Sequence, residues 1–338
     1  MNSKLITILL GCTLSFNGCS ADNTQKEEEL KEPEVTSIIQ ELKGNKFIAD
    51  YTVAKESVLR SIPEEYINSA RENLCVAYQH TSHGTHVSRG LYGLPDYKAG
   101  DDALFGIVRN DFKTGVLDFL DYAIEDYAED GRRAVDLSRD ETAFIQATRN
   151  FLDDSKNEKV NVVMWAWCNI AGHDVEGNYL PGMQTLIDEY GVGGSKIGEG
   201  EGKRQQAVYF VFMTGHANRG SNTGEGNPAE QATLINDFCN KNKLLCLDYY
   251  SIDTHCMNDH YWEDAGDNGK SSSYGGNYYE DWQNSHQEGI DYYLNKSKPG
   301  GDVELGSHTT QHITSNRKAY AMWWILARIS GWDGTLVN

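Results

Sequence analysis

The sequence predicts an α/β fold in which helices cover both faces of a mainly parallel sheet. Several short apolar runs are nearly continuous and rich in valine and aromatic residues, which is typical of strands buried on both faces. Segments with helical periodicity alternate with these runs. Strand alternating with helix along the chain is the pattern of parallel sheets.

Four runs are predicted as buried strands: "LCVAYQ" (74–79), "VNVVMWAW" (160–167), "AVYFVFMTG" (207–215) and "LLCLDYY" (244–250). In sheets of this kind ligands bind beyond the carboxyl ends of the strands. The segments that follow the four runs are "HTSHG", "CNIAGHD", "HANRG" and "SIDTH". Because these segments are dense in polar and titratable residues, we expect the functional site at this edge of the sheet.

Four helices are predicted between and after these strands. The first is expected to begin with a capping box formed by Ser138 and Glu141. The third has Asn227 as N-cap and Pro228 at its first position. The fourth has an apolar stripe and is expected to end at Gly331. The predicted helices lie within 136–154, 179–191, 227–243 and 315–334.

The amino-terminal segment is predicted to direct export. Lys4 precedes an apolar run over 5–16 that is too short to span a membrane, and Gly18 precedes Cys19. This pattern resembles a bacterial lipoprotein signal peptide over 1–19, which implies lipidation of Cys19; an ordinary secretory signal is the alternative. Residues 20–45 are polar and acidic and are predicted to form a disordered tether. The acidic stretch directly after Cys19 resembles the surface-export signal of Bacteroidota lipoproteins, which implies an outer-membrane lipoprotein exposed at the cell surface, with the periplasm as the alternative.

The remaining residues, 46–338, are predicted to form the α/β domain, with an insertion at about 253–300. The formal net charge of −20 excludes nucleic acid as an expected partner, because a phosphate backbone requires lysine and arginine. Membrane contact is expected only through the lipid anchor.

Five cysteines lie beyond the signal segment, so disulfide pairing within the chain leaves at least one thiol free. Three of them, Cys75, Cys168 and Cys246, lie in or next to the predicted strands. Small thiol side chains at such positions are predicted to be core residues.

The strand ends and the carboxyl-terminal segment resemble those of the SGNH (GDSL-like) hydrolases. Ser82 follows "CVAY" where that family has its nucleophilic serine, and "VVMWAWCNIAG" places Asn169 at the family's asparagine. "ATLINDFCNKNKLLCLDYYSI" resembles the penultimate helix and strand of the family. "SHTTQHITSNRKAYAMWW" resembles its terminal histidine and helix, which indicates His308 or His312. The resemblance implies a flavodoxin-like three-layer sandwich.

The chain departs from the family at several motif positions. "HTSHG" replaces the G-D-S motif, and Trp167 and Ile170 stand at the glycine and aspartate of the G-x-N-D block. The D-x-x-H motif is missing, since Leu305 and Thr309 lie three residues before the two histidines.

The resemblance implies an exported serine esterase that needs no cofactor and acts on a small ester or an acylated polysaccharide. Ser82 would attack, His312 or His308 would act as base and then acid, and Asn169 would stabilise the oxyanion. No metal is expected in this mechanism. The residues expected to bind substrate are His80, His83, His216 and Asn218.

Two other function classes fit parts of the sequence. His80, His83 and His86 offer three imidazoles to a zinc-dependent hydrolase, although Gly84 and the preceding strand disfavour the helix that their spacing would suit. A non-catalytic glycan-binding or structural surface protein is the other alternative. The missing family motifs favour it, and the aromatic residues of 253–289 suit stacking on sugars. The stretch "DAGDNG" (264–269) is oxygen-rich like a calcium loop but lacks the EF-hand register.

Overall fold

A seven-stranded sheet, parallel throughout, forms the centre of the structure. The structure is a computed structural model that describes residues 42–335. The predicted signal peptide, the lipidation site Cys19 and nearly all of the tether therefore lie outside the described residues. No helix among those described is both long enough and apolar enough to cross a bilayer.

The strands are β1 Ile48–Ala49, β2 Cys75–Gln79, β3 Ile107–Arg109, β4 Leu117–Asp121, β5 Val162–Trp165, β6 Tyr209–Met213, β7 Cys246–Leu247, β8 Lys270–Ser271 and β9 Gly276–Asn277. The central sheet has the order β1-β7-β6-β5-β2-β4-β3, and β8 pairs with β9 in a separate antiparallel hairpin. The five inner strands, β4-β2-β5-β6-β7, have the flavodoxin-like order 2-1-3-4-5.

The helices are α1 Glu56–Ser61, α2 Glu64–Asn73, α3 Thr85–Gly93, α4 Asp101–Leu104, α5 Ala143–Asp153, α6 Leu180–Tyr190, α7 Pro228–Asn242, α8 Tyr249–Thr254, α9 Tyr278–Asn284 and α10 Ile313–Ile329. Apolar residues of α1, α2, α3 and α10 pack on one face of the sheet with Val76 and Tyr78, while those of α5, α6 and α7 pack on the other with Ala77. The alternation follows from the period of two in a strand. The α/β class and the flavodoxin-like three-layer sandwich are thus confirmed.

The four predicted strands correspond to β2, β5, β6 and β7, but β1, β3 and β4 were not predicted. β1 and β3 have only two and three residues, and each is the edge strand of the sheet. β4 alternates buried and partly exposed residues, so it lacks the continuous apolar run of the others. Such segments are strands because their neighbours in the sheet bind them, not because of their own composition.

The predicted capping box at Ser138 and Glu141 is wrong. Helix α5 begins at Ala143, and both polar side chains instead bind the loop after β5. The Ser138 hydroxyl accepts the backbone N–H of Asn169, and the Glu141 carboxylate contacts His173. Hydrogen bonds to a neighbouring loop have therefore replaced the helix cap, and they fix the loop that carries Asn169.

Helix α10 lies in the interior along its whole length and packs closely on α3. All of its residues are buried, including Lys318, whose ammonium group bonds the equally buried Asp253 carboxylate. Gly90 of α3 faces the Ser315 carbonyl so closely that a Cβ would overlap the carbonyl oxygen. Because α3 directly follows the loop at the end of β2, this contact helps to fix the position of that loop.

The predicted insertion has an apolar cluster of its own. Tyr278 and Tyr279 are buried there with Cys256, and the cluster continues to Ile313 of α10. Many aromatic residues of this region therefore stabilise the fold instead of lying free on the surface.

Substituting Gly90→Ala tests the contact between α3 and α10. By helix propensity alone alanine would stabilise this position by about 0.5–1 kcal/mol. Because the new Cβ overlaps a backbone carbonyl, we expect instead a loss of about 1–3 kcal/mol in the free energy of unfolding, measured by urea denaturation.

Gly182→Ala in α6 is the matched control, since its Cβ would meet the movable Ile145 side chain and should cost less. A Gly90→Ala variant as stable as the wild type would contradict the packing described.

Candidate functional site

The candidate site lies beyond the carboxyl ends of β2, β5 and β6, at the edge of the sheet where it was expected. Ser82 and His83 follow β2, and Cys168 and Asn169 follow β5. His216 follows β6. Parallel neighbouring strands bring these residues together although they are distant in sequence.

The loop after β2 is fixed by two tyrosine hydroxyls. Tyr249 donates to the His83 carbonyl at 2.8 Å, and Tyr78 donates to the Gly84 carbonyl at 3.0 Å. Gly84 leaves no room for a side chain, because a Cβ there would overlap His80. These contacts therefore fix the backbone that carries His83.

Cys168 and His83 form a pair of a nucleophile and a base at the centre of the site. Cys168 Sγ lies 3.5 Å from His83 Nδ1, which is within hydrogen-bond reach for sulfur. Ser82 Oγ lies 3.5 Å from the same sulfur. No hydrogen bond within residues 42–335 joins Ser82 Oγ to a histidine nitrogen. The nucleophile-and-base pair that the structure brings together is thus Cys168 with His83.

Three further side chains surround the His83 ring. Asp267 Oδ2 lies 3.2 Å from His83 Nε2 without forming a hydrogen bond, so the contact is one between charges. The His216 ring stacks on His83 with centroids 3.7 Å apart, and the exposed His308 ring stacks on it at 4.4 Å. His83 and Asp267 are only 12% and 13% exposed.

The charges of these groups support one another. Burial alone would lower the pKa of His83, but contacts with Asp267 and Cys168 outweigh it and raise the pKa to about 9. Burial would raise the pKa of Asp267, yet the contact with His83 and nearby imidazoles lower it to about 2. The hydrogen bond from His83 lowers the pKa of the Cys168 thiol. Each of these groups therefore stabilises the charged form of its neighbour.

Asn169 and Asn218, both predicted site residues, bond to each other. Asn218 Nδ2 donates to Asn169 Oδ1 at 3.0 Å, and the backbone N–H of Ala171 donates to the same oxygen at 3.2 Å. With Oδ1 occupied, the Asn169 amide has a fixed orientation and its Nδ2 can donate to a ligand.

The Ala217 carbonyl oxygen links His216 to the segment that carries Asp267. It accepts from His216 Nδ1 at 3.0 Å and from the backbone N–H of Asp267 at 3.2 Å. The backbone N–H of Ala217 in turn donates to Asp253, the partner of Lys318. The buried Asp253–Lys318 pair thus supports the loop that carries His216.

The remaining predicted histidines point elsewhere. His80 Nε2 contacts Asp121 at 2.7 Å, and His86 Nε2 contacts the Ser307 carbonyl at 2.6 Å. His80, His83 and His86 therefore have separate partners and do not form the three-histidine zinc site considered above. His312 Nδ1 accepts from the backbone N–H of Asn295 at 3.1 Å, and burial lowers its pKa to about 4.

Between residues 42 and 335, the structure brings together one group of potential metal ligands. It consists of His83, His216 and Asp267, whose ligand atoms all lie within 4.8 Å of one another. Among the described residues, 264–269 form no such cluster of their own, so the structure does not support the predicted calcium loop. Asp264 accepts from Ser271, Ser272 and Ser273, whereas Asp267 faces His83.

Two residues of the site were missed by sequence reasoning. Cys168 was predicted to be a core residue like Cys75 and Cys246, which are buried, but it is partly exposed beside His83. The available signal was its position directly after a predicted strand, next to Asn169. Asp267 lies in the insertion, and nothing in its local sequence relates it to His83.

Comparisons with known proteins give no relatives: no protein-family model, curated protein or solved structure matches the chain.

Alkylation by iodoacetamide near pH 7 tests the pairing of thiol and imidazole. We expect Cys168 to react well before the four buried cysteines, since burial raises the pKa of Cys75, for example, to about 12. Mass-spectrometric mapping of the labelled peptides over time gives the alkylation rate of each cysteine.

The His83→Ala variant should react more slowly at Cys168, because it loses the cation that stabilises the thiolate. Equal rates in the two proteins would show that His83 does not activate this thiol.

Proposed function

We propose that the protein is an acyl hydrolase in which Cys168 attacks an ester carbonyl. The observation that carries the proposal is the 3.5 Å contact between Cys168 Sγ and His83 Nδ1 at the ends of neighbouring central strands. A thiolate is the reactive form of cysteine, and an adjacent histidine is the usual means of producing it.

The reaction would proceed through a thioester. The Cys168 sulfur bonds to the carbonyl carbon, and the π electrons move to the carbonyl oxygen. As the tetrahedral intermediate collapses, the carbon–oxygen bond to the alcohol breaks and His83 donates a proton to that alcohol. His83 then removes a proton from water as the water oxygen bonds to the carbonyl carbon of the thioester. The carbon–sulfur bond breaks, the carboxylic acid leaves, and the Cys168 thiolate and the His83 imidazolium are restored.

The neighbours of this pair have defined roles in the proposal. Asp267 stabilises the positive charge on His83. Asn169 Nδ2 donates to the oxyanion, with Asn218 holding its amide in place. Ser82 donates to the thiolate through the 3.5 Å contact with Cys168. This differs from the serine mechanism expected from the sequence, because no base reaches Ser82 among the described residues.

The proposed substrate class is an acyl ester, either small or carried by a polysaccharide outside the cell. Two aromatic residues of the insertion that are only partly buried, Tyr274 and Trp282, support the polysaccharide. A cavity of about 340 Å³ there is lined by Met257, Tyr274, Tyr278 and Trp282, together with polar groups such as Asp281. Aromatic faces beside a carboxylate suit a sugar ring.

Hydrolysis of p-nitrophenyl acetate, measured in EDTA, tests the assignment of roles. Cys168→Ala should abolish activity, and His83→Ala should lower kcat/KM by about 10²–10⁴-fold because the general base is lost. Ser82→Ala should stay well above the Cys168→Ala level.

The matched control is His260→Ala, which removes an exposed imidazole and should change nothing. Activity that disappears in Ser82→Ala and persists in Cys168→Ala would instead establish the serine mechanism.

A further inference from the structure

We infer that a zinc ion binds to His83, His216 and Asp267 and inhibits the reaction at Cys168. The inhibition, though not the binding, rests on the proposed function. The ligand atoms of these three residues lie within 4.8 Å of one another, and two imidazoles with one carboxylate form a donor set that zinc accepts.

The distance between two of the donors already suits zinc. Bonds of about 2.0–2.1 Å place neighbouring donors of a tetrahedral site about 3.4 Å apart. His83 Nε2 and Asp267 Oδ2 are 3.2 Å apart. An ion between them would therefore need little movement of either group.

Asp267 Oδ2 is buried and accepts no hydrogen bond. A buried carboxylate oxygen without a hydrogen-bond donor is costly to maintain, and a cation is one group that removes the cost. This oxygen faces the same space as His83 Nε2, so a cation placed there would replace the imidazolium as its charge partner.

His216 supplies the third donor from the loop after β6. Its Nδ1 donates to the Ala217 carbonyl at 3.0 Å, which leaves the lone pair on Nε2. The rings of His83 and His216 are nearly parallel, at 11°, so they do not yet point at one ion. One of the two rings must therefore tilt before both can bind the same ion.

Zinc at this position would stop the proposed chemistry through His83. Coordination through Nε2 displaces the proton there and leaves one hydrogen on Nδ1, facing Cys168. A ring in that state neither accepts the proton of water nor readily gives up its own. Asp267, now bound to the ion, no longer stabilises an imidazolium.

Titration of the metal-free full chain with zinc chloride, followed by calorimetry, tests binding independently of activity. We expect one ion per chain, with affinity reduced by more than about tenfold in His216→Ala and in Asp267→Ala. The matched control is His260→Ala, which removes an exposed imidazole. His260 belongs to no three-ligand group among the described residues, so its loss should leave the affinity unchanged.

Cobalt substitution tests the ligand set by absorption. Nitrogen and oxygen ligands give visible bands without a thiolate charge-transfer band, as we expect. A thiolate band, or unchanged zinc affinity in both ligand variants, would overturn the assigned site.

Hydrolysis of p-nitrophenyl acetate over the same zinc titration tests inhibition. Activity should fall in parallel with binding and return with EDTA, and the residual activity of His216→Ala should resist zinc. Zinc that binds without inhibiting would overturn the inhibitory role. Hydrolysis that requires zinc would show that the metal site exists but the proposed cysteine mechanism does not.

Discussion

The position of the His83 imidazole is the constraint on which the whole site depends. Its Nδ1 contacts Cys168, its Nε2 faces Asp267, and its two faces are covered by His216 and His308. Since the two nitrogens lie on different edges of one planar ring, a rotation of the ring would break both polar contacts together. The stacked rings oppose such a rotation, and the hydrogen bond from Tyr249 to the His83 carbonyl fixes the backbone that carries the ring.

Sheet topology explains why His83 and Cys168 meet. In the strand order, β2 lies between β4 and β5. The chain connections on the two sides of β2 therefore run in opposite directions across the sheet. Loops diverge at such a switch point and leave a crevice beyond the carboxyl ends of the strands. The residues directly after β2 and β5 border that crevice. The ion pair of Lys318 and Asp253, buried behind it, fixes the loop of the third contributing strand, β6.

Sequence patterns indicated the edge of the sheet where the candidate site lies but not the contacts within it. Six residues were predicted to belong to the site because they follow strands or precede the last helix: Ser82, His83, Asn169, His216, Asn218 and His308. In the structure each of them contacts another residue of the candidate site. Strand ends can be predicted because buried parallel strands have a strong local pattern. Partner choice has no local pattern. His80 and His86 lie beside His83 in sequence yet bond to Asp121 and Ser307. The interactions of Cys168 and Asp267 with His83 likewise depend on tertiary packing alone.

The most direct test of the central claim is to identify the residue that carries the acyl group during turnover. The full chain would be mixed with p-nitrophenyl acetate, quenched in acid within the first turnovers and digested for mass-spectrometric mapping. We predict one acetyl group on the peptide that contains Cys168, absent in Cys168→Ala and removed by neutral hydroxylamine as a thioester would be. An acetyl group on Ser82, formed equally in Cys168→Ala, would contradict the account.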